Sequence, residues 1–187
     1  LGDWEKPAPL ALLKDLYETT GDNRDFIHAR CHVGKCNDEA LEKYRGKIVE
    51  QFFPERGDGK LKLDEARKAI RDYRKATGNI PDTAELLMTF VENGARFTHE
   101  YGDMDERFYD SVESALDELA ALLRGKAREM YPQFRDRLAR VEQMTDGIGW
   151  GFARFFYLLR CRLYAPYYPL SRERGEFWIT MENFDRA

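Results

Sequence analysis

The sequence predicts an all-α protein of about eight helices stacked as antiparallel hairpins, in a bundle or a short solenoid, with an irregular C-terminal tail. Three observations point there. Apolar residues recur at steps of three and four along most of the chain, as on helices that bury one side. Stop and start signals fall between those stretches, at Gly21–Asp22, Pro54, Gly78, Pro81–Asp82 and Gly102–Asp103. No period-two segment of useful length occurs before the tail. Short connections then force neighbouring helices to run antiparallel. No fixed-period repeat separates the bundle from the solenoid.

The first helix covers about 8–19 and sets Leu10, Leu13, Leu16 and Tyr17 on one face. Gly21 ends it, and Asp22 caps a second helix at about 23–33. The third, about 38–53, opens at Asn37 or Asp38 and buries Leu41, Tyr44, Ile48 and Phe52 before Pro54. The fourth, about 63–77, is capped near Asp64 and closed by Gly78, with Leu63, Ala66, Ile70 and Tyr73 as its seam. The fifth follows Pro81–Asp82 and runs to about Tyr101. Leu86, Leu87, Phe90, Val91, Gly94, Phe97 and Tyr101 share its stripe, so Gly94 reads as a close helix contact rather than a break. Asp103 or Asp105 caps the sixth, about 105–124, whose seam is Phe108, Val112, Ala115, Leu116, Leu119 and Leu123. The seventh covers about 131–144, with Pro132 in its first turn. The eighth, about 149–164, is rich in aromatics from Trp150 to Tyr164. Beyond Pro166 the helical period is lost, and Phe177–Thr180 is the one stretch that could pair as a strand.

A length of 187 residues fits one domain, 1–187, with 165–187 docking on it as the irregular tail. Hydrophobic content is ordinary at 43%, and charge at 34% is high, which suits long helices with solvated outer faces. Cys31, Cys36 and Cys161 are too few for a secreted disulfide framework and read as free thiols. No apolar run approaches the ~18 residues of a membrane span. No signal peptide is visible, although the sequence opens at Leu1 rather than Met, which weakens that point. The expected setting is cytoplasmic, with no membrane partner.

The net charge of −4 hides a segregated pattern. Residues 24–75 carry 14 basic and 10 acidic side chains, 82–118 carry 2 and 11, and 124–174 carry 11 and 5. Adjacent helices can match such blocks to each other, or show a partner one sign per face. Glu106, Asp110, Glu113 and Asp117 form one acidic stripe on the sixth helix, and Arg67, Arg71, Arg74 and Lys75 a basic one on the fourth. Solvated faces are the ordinary explanation. The two stripes could also meet across a groove, or meet a charged partner.

Two polar constellations are candidate sites. In the first, His28 and His32 stand four apart on one helix, with Cys36 just beyond and Asp25 a turn before. That spacing suits two zinc ligands from one helix. The plain alternative is two surface histidines and a helix cap. In the second, His99, Glu100, Asp103, Asp105, Glu106 and Asp110 crowd carboxylates that could hold a hard divalent cation. Acidic residues at a helix start also simply complement its dipole, and the calcium-loop pattern fails at Phe108 and Ser114. His28, His32, Cys36, His99, Asp103, Asp105 and Glu106 are thus the candidate metal ligands. Asn23, Asp25, Arg30, Glu100, Tyr101 and Arg107 are the candidate binding residues around them. No complete catalytic set is visible, and no cofactor is predicted apart from such a divalent metal.

Three stretches, NRDFIHAR at 23–30, KLDEARKAIRDYRKATG at 62–78 and FTHEYGDMDERFYDS at 97–111, resemble a family of uncharacterised bacterial helical proteins known only as a domain of unknown function. The likeness spans roughly 10–125. It implies an all-helical fold in a bacterial cytosol, and no activity or ligand.

The first functional expectation is a helical interaction module that shows charged helix faces to a protein partner or to itself. The alternatives are a metal-dependent hydrolase built on the carboxylate and histidine clusters, and single-stranded nucleic-acid binding. The last would use the aromatics of 149–164 with Arg154, Arg160, Arg162, Arg172 and Arg174.

Overall fold

The computed structural model describes residues 7–31, 37–57 and 59–145. They form seven α-helices and one 3-10 turn, and no strand occurs among the described residues. In chain order the helices are α1 Pro7–Thr19, α2 Gly21–Cys31, α3 Asn37–Phe52, α4 Leu63–Thr77, α5 Ile80–Tyr101, α6 Glu106–Arg124 and α7 Tyr131–Thr145. The 3-10 turn, Arg128–Met130, leads into α7. The all-α expectation holds. The aromatic helix expected at 149–164 and the tail at 165–187 lie outside the described residues, as do His32, Cys36 and Cys161.

The helices pack as a bundle around α5, which touches α3, α4, α6 and α7. Its sequence explains that position. Leu86, Leu87, Met88, Phe90 and Val91 spread over more than half of its circumference, and all five are fully buried, so neighbours must cover the helix on several sides. Side-chain pairs show the directions. Tyr44 on α3 meets Tyr73 on α4, Phe97 on α5 meets Phe108 on α6, and Phe52 on α3 meets Phe90 on α5. Consecutive helices from α3 to α6 therefore alternate in direction, and α3 and α7 run alongside α5.

The seams of α3 to α6 sit where the apolar period places them. Ile48, Phe52, Ala66, Ile70, Tyr73, Val112, Leu116, Leu119 and Leu123 are all buried in one core. Gly94 lets α5 and α6 approach closely. A Cβ there would lie 2.7 Å from Val112 Cγ2, nearer than van der Waals contact allows. Gly59 serves the turn after α3: a Cβ would strike the Phe52 carbonyl, and Leu61 N–H then bonds to Gln51 O at 2.9 Å.

Several boundaries depart from expectation. Gly21 does not end α1 but opens α2, and Thr20 rather than Asp22 supplies the cap, its Oγ1 accepting from Asn23 N–H at 3.1 Å. Asp22 is drawn away by two lysines described below. At α4 no side chain caps the start, because Lys62 occupies the N-cap position. The α5 helix begins three residues early at Ile80, because Asn79 caps it by accepting from Asp82 N–H at 3.1 Å. Asp105 caps α6, and Gly78 and Gly102 close α4 and α5 as expected. Tyr101 is exposed rather than on the buried seam of α5, resting on the ring of Phe97. The largest departure is α1. It buries no residue, and Leu10, Leu12, Leu13 and Leu16 are exposed, because α1 packs chiefly against α2 alone.

Candidate functional site

Charge pairing organises the bundle in three places. At the first, α2 lies across α3 and α4. Asp25 is buried and its two oxygens take Lys43 Nζ at 2.6 Å and Lys47 Nζ at 2.7 Å. Asp22 accepts from Lys47 at 2.7 Å and Lys68 at 2.8 Å. Hydrogen bonds from those two lysines hold the Asp22 carboxyl at about 2, against 3.8 ordinarily. For Asp25, burial pushes the value up, but the bonds from Lys43 and Lys47 outweigh it and the net shift is downward. A cavity of about 190 Å³ opens beside this network, lined by Tyr44, Gln51 and Glu65 among others.

At the second, Arg137 on α7 forks between two acids two helical turns apart on α5. It donates to Glu85 at 2.7 and 3.0 Å and to Glu92 at 2.7 and 2.8 Å. Arg45 on α3 also approaches Glu85, at 3.8 Å. At the third, Arg67 on α4 bonds Glu118 on α6 at 2.5 Å and lies over the ring of Phe90. The acidic block is thus partly matched by the basic blocks beside it.

The outer face of α6 carries a further row of acids. Among the described residues Glu106, Asp110, Glu113 and Asp117 make no ion pair or side-chain hydrogen bond. Glu106, Asp110 and Asp117 are exposed and Glu113 is half-buried between them. Burial first, then the charges of Asp110 and Asp117, push the Glu113 carboxyl above its ordinary range. The helix surface brings steps of three and four together, so this is one continuous electronegative strip. Arg71, Arg74 and Lys75 do not face it across a groove as ion pairs; of the α4 stripe only Arg67 reaches α6.

The residues singled out from the sequence are spread over the molecule. His28 bonds Tyr17 Oη through Nε2 at 2.8 Å. Asn23 donates to Leu16 O at 2.9 Å, joining α2 to α1. Arg30 donates to Ala76 O at 3.1 Å, closing the last turn of α4 as a cation suits a helix C-terminus. Glu100 pairs with Arg96 at 2.6 Å. His99 lines a groove of about 480 Å³ between α5 and α7, with Arg96, Arg140 and Gln143. Asp103 accepts from Tyr109 Oη, whose oxygen also takes Met104 N–H at 3.2 Å. Asp105 accepts from Phe108 N–H at 2.9 Å as the α6 cap. Arg107 lines a groove of about 620 Å³ with Lys62, Asp64 and Asp105. Among the described residues no group of three His, Cys, Asp or Glu stands close enough to hold a metal ion. No helix among them is long and apolar enough to cross a membrane.

Lys43, Lys47, Lys68, Glu85, Glu92 and Arg137 escaped the sequence reading. The one available signal was charge at i and i+7 on the α5 stripe, Glu85 and Glu92, beside an otherwise apolar run. Compared with protein-family models, curated proteins and solved structures, the chain matches none.

Proposed function

We propose that this chain is a helical interaction module whose α6 presents an acidic strip to a basic surface of a protein partner. The observation that carries this is that Glu106, Asp110, Glu113 and Asp117 lie on one helix face with no ion pair among the described residues, whereas Glu85, Glu92 and Glu118 are neutralised between helices. Burial first, then repulsion from Asp110 and Asp117, raises the Glu113 carboxyl, and a partner's cations would relieve the repulsion. Such a contact gains specificity and encounter rate from its charge more than affinity. The proposal includes the bacterial cytosolic setting and the uncharacterised helical family that three stretches resemble.

Capture from lysate at low and high salt tests it, using the parent chain and the triple variant Asp110→Asn, Glu113→Gln, Asp117→Asn, with light scattering on each for self-association. A partner, or a second copy, held by the parent at low salt and released by salt or by the triple variant supports the reading. A parent that stays alone at low salt removes it, as does one whose partner ignores the three substitutions. The hydrolase and nucleic-acid readings have no comparable support. The candidate metal ligands on described residues stand apart, and the basic aromatic stretch lies outside the described residues.

A further inference from the structure

We infer that the α1–α2 hairpin is an arm latched to the bundle by ion pairs, and that it opens as a unit while α3 to α7 stay folded. The burial pattern is the first ground. The only residues α2 buries are Asp25 and Ala29, with Phe26 partly inserted, and α1 buries none. Apolar burial at ~25 cal/mol per Å² holds the other helices together; this hairpin has little of it. The second ground is what replaces it. Asp22 and Asp25 on α2 face Lys43 and Lys47 on α3 and Lys68 on α4, and Arg30 holds the Ala76 carbonyl at the far end. Asp72 on α4 shares Lys68, at 3.4 Å.

These contacts differ in character. Asp22 and Lys68 are about half exposed, at 54% and 46%, so salt at a ~10 Å Debye length weakens their pairing. Asp25 is 6% exposed, so it is the part of the latch that salt touches least, and its loss leaves Lys47 with Asp22 alone and takes from Lys43 its carboxylate partner. Opening would uncover the α3–α4 face beneath, where Tyr44 and Tyr73 stack edge to face at 5.3 Å. Elements with few buried apolar contacts open at a lower free energy than the global transition, and α2 is such an element by construction.

Hydrogen–deuterium exchange on the full chain, read by mass spectrometry at low and high salt, tests the inference. Amides of 21–31 are expected to exchange at least about tenfold faster than those of 84–98 and 112–123, a gap of ~1.4 kcal/mol or more. High salt should widen that gap while α5 and α6 hold their rates. Asp25→Asn should speed exchange in α1 and α2, and in no other helix, by about a further tenfold. The inference fails if α2 exchanges in step with α5 and α6, if salt leaves the gap unchanged, or if Asp25→Asn accelerates every helix equally. Should that variant not fold, the salt series on the parent chain decides by itself.

Discussion

Gly94→Ala is the sharpest test of the α5–α6 packing. On an exposed helix face the change would stabilise by about 1 kcal/mol, because glycine is the poorer helix former. Here the new methyl would lie 2.7 Å from Val112 Cγ2 and 3.3 Å from Cγ1. Val112 cannot turn aside, since a β-branched side chain has one strongly preferred χ1 in a helix and the other methyl would take the vacated place. It is fully buried. The helices must therefore separate or the side chain must leave its rotamer, at a cost of about 1–3 kcal/mol. The net expectation is a loss near 1 kcal/mol, which for a chain of this size lowers Tm by about 2–4 °C. Far-UV circular dichroism on thermal unfolding measures it. The double variant Gly94→Ala, Val112→Ala should show a favourable coupling of about 1 kcal/mol in the mutant cycle. A Gly94→Ala protein that melts higher than the parent would show that the two helices do not meet as described.

Arg137→Met removes four hydrogen bonds and leaves Glu85 and Glu92 facing a thioether; a loss of about 2–3 kcal/mol is expected. Urea unfolding should show it as a lower midpoint at unchanged slope, and an unmoved midpoint would mean the fork contributes nothing. Glu113→Gln should raise Tm at neutral pH. The folded carboxyl lies above its unfolded value of 4.5, so its charged form opposes folding, and stability is gained as pH falls through the raised value. The substitution should abolish that gain, and a lower Tm at neutral pH would count against it. Asp22 behaves oppositely. Its folded value of about 2 lies below the unfolded 3.8, so its contribution is present above pH 4 or so and disappears as pH falls toward about 2. Amide protection in α2 should be lost across that window, and less steeply in Asp22→Asn; a flat acid response would remove the latch's electrostatic basis.

Most of the fold was legible because α3, α4, α5 and α6 each carry an apolar stripe that finds a partner. Gly94 was legible for the same reason: a glycine in the middle of a continuous stripe has to serve an approach. The first helix shows the limit of that reasoning. Leu10, Leu13 and Leu16 keep helical spacing, yet spacing shows only that one side is apolar and not that anything covers it. The site residues were less legible. Asp25 reads as a binding residue because it precedes His28 by one turn, but its partners Lys43 and Lys47 come from another helix. Arg30 likewise reaches Ala76, 46 positions away. Pairings between distant segments have no local sequence signal. Boundary errors had a local cause, since Thr20 caps α2 in place of Asp22 and Asn79 opens α5 ahead of Pro81.

The acidic strip of α6 is best tested by a site-resolved amide NMR titration with a lysine-rich helical peptide. The account expects shifts centred on Asp110, Glu113 and Asp117 that fade with salt, with α5 around Glu85 and Glu92 unmoved because Arg137 already occupies those acids. Shifts spread evenly over every exposed carboxylate, or centred away from α6, would contradict it.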